Sequence, residues 1–322
     1  MNAKKGRYIK CFIIIVVIIA VIIDIAAANY LVSFSLMRGE ASGTDVAPTP
    51  ITEEGAQQKI TENWNAIRVQ TDEWLASTDK ETVSITSNDG LKLVGDIFTT
   101  DENSHKWVIA IHGYTGKRQH TYDYAAFYAK EGYNILAPDM RSHGESEGQY
   151  IGMGWLDKED VKLWINQIID IDPEAEIVLH GVSMGGATVL MTSGEDLPEN
   201  VKAVVDDCGY TSVWDEFSAE AKYLFHIPEF PILYTASAIS KFRAGYTFWE
   251  ASALNQVKKT KVPILFIHGS EDNFVNTDMV YRLYDACPTV KALYIAEGAG
   301  HGQSAFLDPY TYFEKVFNFL EE

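Results

Sequence analysis

Apolar and polar positions change rhythm three times along this chain. Residues 11–23 form a continuous apolar run, Asp24 interrupts it, and residues 25–37 resume the apolar character. Together they are long enough to cross a hydrocarbon core of about 30 Å. Residues 38–52 are rich in small residues, Pro and Thr, which predicts an extended linker. Over residues 53–77, Ile60, Trp64, Ile67 and Trp74 recur at spacings of four, three and seven, which predicts a helix whose apolar stripe packs on the domain that follows. From Val83 the rhythm becomes one of short apolar runs separated by amphipathic stretches. Strands are predicted over 83–86, 91–98, 107–111, 133–138, 177–180, 201–205, 263–268 and 292–296. Helices are predicted over 122–130, 157–171, 184–191, 278–286 and 309–321.

Continuous apolar strands alternating with helices predict an α/β domain over 83–322. Its sheet should be mostly parallel and covered by helices on both faces. Sheets of this kind place ligands beyond the carboxyl ends of their strands, so those ends are where a site should be sought. The run Ile177-Val178-Leu179 leads into His180-Gly181-Val182-Ser183-Met184-Gly185-Gly186. This is a G-x-S-x-G sequence at a strand-to-helix junction, where glycines permit the sharp turn that lifts a serine hydroxyl above the sheet.

A serine hydroxyl becomes a nucleophile only beside a base held by a third group. His301, in the glycine-lined loop after the last strand, is the candidate base, and Asp272, four residues after His268, is the candidate orienting acid. His143 is a rival base that reads as a structural loop residue, and Asp206 and Asp207 are rivals for the acid. Backbone N–H groups of Met184 and of Tyr114, in the loop His112-Gly113-Tyr114-Thr115-Gly116, are the candidate oxyanion donors. The histidines at 112, 180 and 268 end separate strands, so they read as structural rather than as a zinc cluster.

From Val83 onward the chain resembles the α/β-hydrolase superfamily. The stretches His-Gly-Tyr-Thr-Gly, Asp-Met-Arg-Ser-His-Gly and Gly-Val-Ser-Met-Gly-Gly are similar to those of its serine-aminopeptidase-like and monoacylglycerol-lipase-like branch. Ser142 departs from the glycine often found in the second of these. The resemblance implies an eight-stranded sheet, a Ser-His-Asp triad and no metal or organic cofactor. Carried over by position it supports Ser183, Asp272 and His301, with Tyr114 and Met184 as oxyanion donors. It also assigns residues 211–253, which hold ten Trp, Tyr and Phe side chains from Trp214 to Trp249, to a small helical lid, where a few of them should face a pocket for an acyl or aromatic group and most read as ordinary helix packing against the sheet.

Charge narrows the partners. Residues 1–24 hold four basic side chains and one acidic one, which leaves 22 basic and 44 acidic beyond them, a net −22. Such a surface excludes nucleic-acid binding by phosphate neutralisation. Lys4, Lys5, Arg7 and Lys10 ahead of the apolar run hold the amino terminus in the cytoplasm and put the acidic part outside it. Residues 1–37 read either as a membrane anchor or, with Ala26-Ala27-Ala28 as a cleavage site, as a signal peptide of a secreted protein. Cys208 and Cys287 read as small buried residues rather than as a disulfide. The expectation is a serine hydrolase that cleaves a small ester. The alternatives are a peptidase or acyltransferase with the same triad, or a non-catalytic binding protein on a hydrolase scaffold.

Overall fold

The computed structural model describes residues 2–39 and 54–321. The predicted linker lies almost wholly outside them. Eight strands form one sheet: β1 (Lys80–Thr86), β2 (Lys92–Phe98), β3 (Lys106–Ile111), β4 (Asn134–Pro138), β5 (Glu176–Val182), β6 (Val201–Asp207), β7 (Ile264–Gly269) and β8 (Lys291–Ala296). Their order is β1-β2-β4-β3-β5-β6-β7-β8. β2 pairs antiparallel with β1 and β4, and every pairing from β4 through to β8 is parallel. β4 and β7 are buried along their whole length, as apolar strands covered on both faces must be.

Two apolar layers cover the sheet. On one face lie α4 (Asp157–Ile171), α5 (Met184–Ser193), α8 (Ala253–Val257) and α9 (Asp278–Ala286). On the other lie α3 (Tyr122–Lys130) and α11 (Pro309–Glu321), flanked by α2 (Glu54–Ser77) and the short α10 (Ser304–Leu307). In α2, Ile60, Ile67 and Thr71 are buried and Trp74 packs at a tilt against Phe98, but Trp64 turns outward and is 46% exposed. The lid segment folds into α6 (Val213–Phe225) and α7 (Ile232–Arg243). The cysteines 208 and 287 are buried and free.

The first helix, α1 (Asn2–Leu36), has two halves of different character. From Phe12 to Ile23 its large apolar side chains are all at least 47% exposed. Beyond Asp24, Ala28, Val32 and Leu36 are fully buried and form a stripe with a spacing of four that packs along α7. Asp24 Oδ2 accepts a hydrogen bond from Thr235 Oγ1 at 2.6 Å. Farther along, the Arg243 guanidinium donates to Asn29 Oδ1 at 2.7 Å and to Ser33 Oγ at 2.9 Å. Arg38 closes the contact by donating to the carbonyls of Ser146 and Gly144.

Candidate active site

The sheet order sets the place of the site. The chain leaves β3 to form β4 on one side, then returns across β3 to form β5 on the other, so the loops after β3 and β5 part in opposite directions and leave a crevice between them. Ser183 ends β5 and Gly113 follows β3. A Cβ built on Gly113 would lie 3.3 Å from the Ser183 Cβ, which is how closely the two loops approach.

Ser183 occupies φ 59° and ψ −119°, a conformation costly for a residue with a side chain, and it persists because the junction around it is overdetermined. Its N–H donates to the Asp207 carbonyl at 2.8 Å and its carbonyl accepts from Ala187 N–H at 2.9 Å. The glycines on either side have steric work to do: a Cβ on Gly181 would stand 2.0 Å from the Gly185 carbonyl oxygen, and one on Gly185 would stand 2.2 Å from that of Ile111. Only bare backbone lets β5, α5 and β3 meet here.

The structure brings together the three residues singled out from the sequence. Ser183 Oγ lies 2.7 Å from His301 Nε2, and His301 Nδ1 lies 2.7 Å from Asp272 Oδ2. With the carboxylate accepting at Nδ1, the imidazole carries its proton there and leaves Nε2 to accept from the serine, a tautomer assigned from the hydrogen-bond pattern. Asp272 Oδ1 accepts from Phe274 N–H at 3.0 Å and Val275 N–H at 2.9 Å, and His268 Nε2 stands 3.1 Å from Oδ2. Burial alone would raise the Asp272 carboxyl, but the neighbouring His301 and His268 charges and hydrogen bonds outweigh it and hold the pKa at about 2. The group is therefore a carboxylate throughout the neutral range.

Met184 is the first residue of α5 and Tyr114 follows Gly113 in the loop opposite, and both line the pocket beside Ser183. The Tyr114 hydroxyl donates to the Ser35 carbonyl of α1 at 2.7 Å.

The rivals lie elsewhere. His143 is buried edge-on against His112, with Nδ1 2.9 Å from the Arg141 carbonyl. Asp207 accepts from Tyr312 Oη at 2.9 Å and Asp206 accepts from Gly209 N–H at 3.0 Å. Burial raises both carboxyls, to about 6 and about 8, opposite to the shift of Asp272. His112 receives Met140 N–H, His180 sits between Tyr128 and Tyr312, and His268 faces Val275 and Asp272, so the three histidines do not converge.

Ser183 opens into a pocket with about 840 Å³ of atom-free space, the open solvent at its mouth included. Its walls are almost wholly apolar. Of the lid aromatics, Phe217 and Phe248 line it, whereas Trp214 and Trp249 stack on each other and Tyr234 packs edge-on against them outside it. Two groups of lining residues were not legible in the sequence. Glu216 and Glu220, one turn apart on α6, face the pocket. Glu216 Oε2 has no partner among the described residues, and burial pushes its carboxyl well up; burial also raises Glu220, to about 7. Their spacing of four places them beside Phe217, Ala221 and Leu224 on the same helix face. The second group, Leu31, Val32, Phe34 and Ser35, comes from α1.

An eight-stranded sheet of this order, with the nucleophile turn after β5 and a helical lid after β6, is the α/β-hydrolase fold. The chain has that fold, and residues 102–225, less than half of it, match the family described as serine aminopeptidase, S33. The esterase Pf2001 of Pyrococcus furiosus superposes with a TM-score of 0.62 at 29% identity, over 76% of this chain and 93% of that one. The uncharacterized Bacillus subtilis protein YqkD is 29% identical over 66% of this chain and 70% of its own length. The putative esterase YitV of the same organism is 25% identical over 60% of this chain and 79% of its own. The protein is an esterase-like α/β-hydrolase.

Proposed function

We propose that the protein is a membrane-anchored serine hydrolase that cleaves carboxylic esters through an acyl-enzyme. The observation that carries this reading is the unbroken chain Ser183–His301–Asp272, with 2.7 Å at each link, at the floor of an apolar pocket. His301 Nε2 takes the Ser183 proton as Oγ attacks the ester carbonyl, and the Asp272 carboxylate stabilises the imidazolium. The oxyanion is met by the N–H groups of Met184 and Tyr114. His301 then returns the proton to the departing alcohol, and water, deprotonated by the same histidine, releases the acid and restores Ser183. No metal or organic cofactor enters this cycle.

The apolar walls favour an acyl or aromatic group over a peptide backbone, whose amides would enter them without partners. Residues 1–37 serve as the anchor, and the basic residues before the apolar run support an extracytoplasmic catalytic domain over 83–322. The test is to treat the full-length protein with a fluorophosphonate, locate the adduct by mass spectrometry, and assay p-nitrophenyl esters beside Ser183→Ala. An adduct on Ser183 with turnover that vanishes in the variant is expected. No adduct on folded protein would move the non-catalytic binding reading to the front.

A further inference from the structure

The helix that anchors the chain is also a wall of the pocket. Leu31, Val32 and Ser35 of α1 line the same cavity as Ser183, and Ser35 is tied through its carbonyl to Tyr114, whose backbone faces the nucleophile. From Ser35 back to Asp24 is eleven residues, a rise of about 16 Å along the helix. That is close to half of a hydrocarbon core of about 30 Å, the depth one leaflet's acyl chains occupy. The stretch of α1 whose large apolar side chains are all exposed, Phe12 to Ile23, ends just before Asp24.

The lid is oriented to the same boundary. α7 runs alongside α1 in the same direction, with Thr235 opposite Asp24 and Arg243 opposite Asn29 and Ser33. Its amino-terminal end is therefore its membrane-proximal end. Phe230 and Tyr234, at that end, are 72% and 45% exposed, and Tyr234 packs against the stacked pair Trp214 and Trp249. Leu224 and Leu233, which line the same pocket as Ser183, come from the end of α6 and this first turn of α7. Aromatic side chains of this amphipathic kind gather where a protein meets the headgroup level of a bilayer.

We propose that the carboxyl-terminal turns of α1 form the acyl-binding wall, and that the substrate is an acyl ester amphiphile that enters from the bilayer in which the apolar half of α1 is seated, its chain lying along α1 between Leu31 and Leu224. The proposal rests on the serine-hydrolase reading and adds a substrate class to it. The anchor then determines chain-length specificity, and the aromatic rim receives the chain from the leaflet.

The test uses the full-length protein in phosphatidylcholine vesicles, with p-nitrophenyl butyrate and p-nitrophenyl dodecanoate as probes. Leu31→Trp should lower the dodecanoate-to-butyrate ratio of kcat/KM by about tenfold or more, the scale on which pocket contacts discriminate, and Leu31→Ala should move the ratio the other way. Phe230→Glu, at a position too exposed to threaten folding, should slow vesicle-borne dodecanoate severalfold relative to butyrate. Fluorophosphonate labelling of Ser183 in each variant reports an intact nucleophile. Unchanged ratios in both Leu31 variants, with Ser183 still labelled, overturn the acyl wall and leave the hydrolase reading standing. An unchanged ratio in Phe230→Glu overturns the bilayer as the source. Absence of label in the parent protein removes the hydrolase reading itself.

Discussion

At the residue scale, the roles proposed for Ser183 and Asp272 differ in what each removal leaves behind. Ser183→Ala takes away the attacking atom, while Asp272→Asn leaves the nucleophile but offers an amide that favours the wrong imidazole tautomer. Each should lower kcat for p-nitrophenyl butyrate by about four orders of magnitude. A residual rate within tenfold of the parent in either variant would contradict the assignment. Asp206 gives a prediction about stability rather than rate. Its carboxyl is fully buried and titrates at about 8 in the fold, because burial and the neighbouring Asp207 disfavour the charge. A raised carboxyl binds its proton more tightly in the native state, so its contribution is complete below the unfolded pKa of 3.8 and is lost as pH rises through about 8. Asp206→Asn keeps the acceptor for Gly209 N–H and removes the titration. Between pH 6 and pH 9 the parent should lose on the order of 2 kcal/mol more stability than the variant, read as a larger fall in Tm in detergent. Parallel Tm curves would show that Asp206 does not titrate there.

At the element scale, the junction of β5 and α5 is where local sequence and fold agree most tightly. Gly185→Ala would put a methyl 2.2 Å from the Ile111 carbonyl oxygen, which is backbone and has nowhere to move. The expected cost is about 3 kcal/mol, the upper range for overpacking, together with slower labelling of Ser183. Gly55→Ala is the control, because the added Cβ in α2 meets nothing within 4 Å, and replacing a helical glycine there should gain up to about 1 kcal/mol. Thermal unfolding of the two variants checks the contrast. This steric demand also explains what could be read without coordinates. The central strands were legible because a strand buried on both faces is apolar throughout, whereas β1, largely exposed and beginning Lys80-Glu81-Thr82, was legible only from Val83. The nucleophile turn was legible because only glycine fits beside Ser183. The docking of α1 was not legible. Its stripe of Ala28, Val32 and Leu36 lies in a helix that is apolar on every side, so no periodicity separates the face that meets α7 from the face that meets lipid. The pocket glutamates were hidden for the opposite reason, since acidic residues on a helix ordinarily mark its solvated face.

At the scale of the whole molecule, anchorage and charge work against each other in a way that can be measured. Beyond residue 24 the chain carries a net −22, so electrostatic attraction to anionic lipid cannot hold it to a membrane. In the proposed anchored form, attachment comes from the apolar half of α1, where Phe12, Ile22 and Ile23 are 67%, 60% and 63% exposed and would otherwise face water. Hydrophobic attachment does not weaken with ionic strength, whereas electrostatic attachment does. The full-length protein should therefore stay with membranes through 1 M salt and alkaline carbonate and leave only with detergent, and its intact mass should include residues 1–28. Cleavage after Ala28 would instead yield a soluble fragment beginning at Asn29. That fragment would keep Leu31 and Ser35 in the pocket but lose Asp24, the partner of Thr235, and Ala28 from the buried stripe. The two outcomes also differ in what the lid can do. An uncleaved α1 holds α7 at a fixed height above the bilayer, while a cleaved one leaves the aromatic rim with no membrane to meet, so recovery of the fragment as the active form would contradict the anchor and the bilayer-fed pocket together.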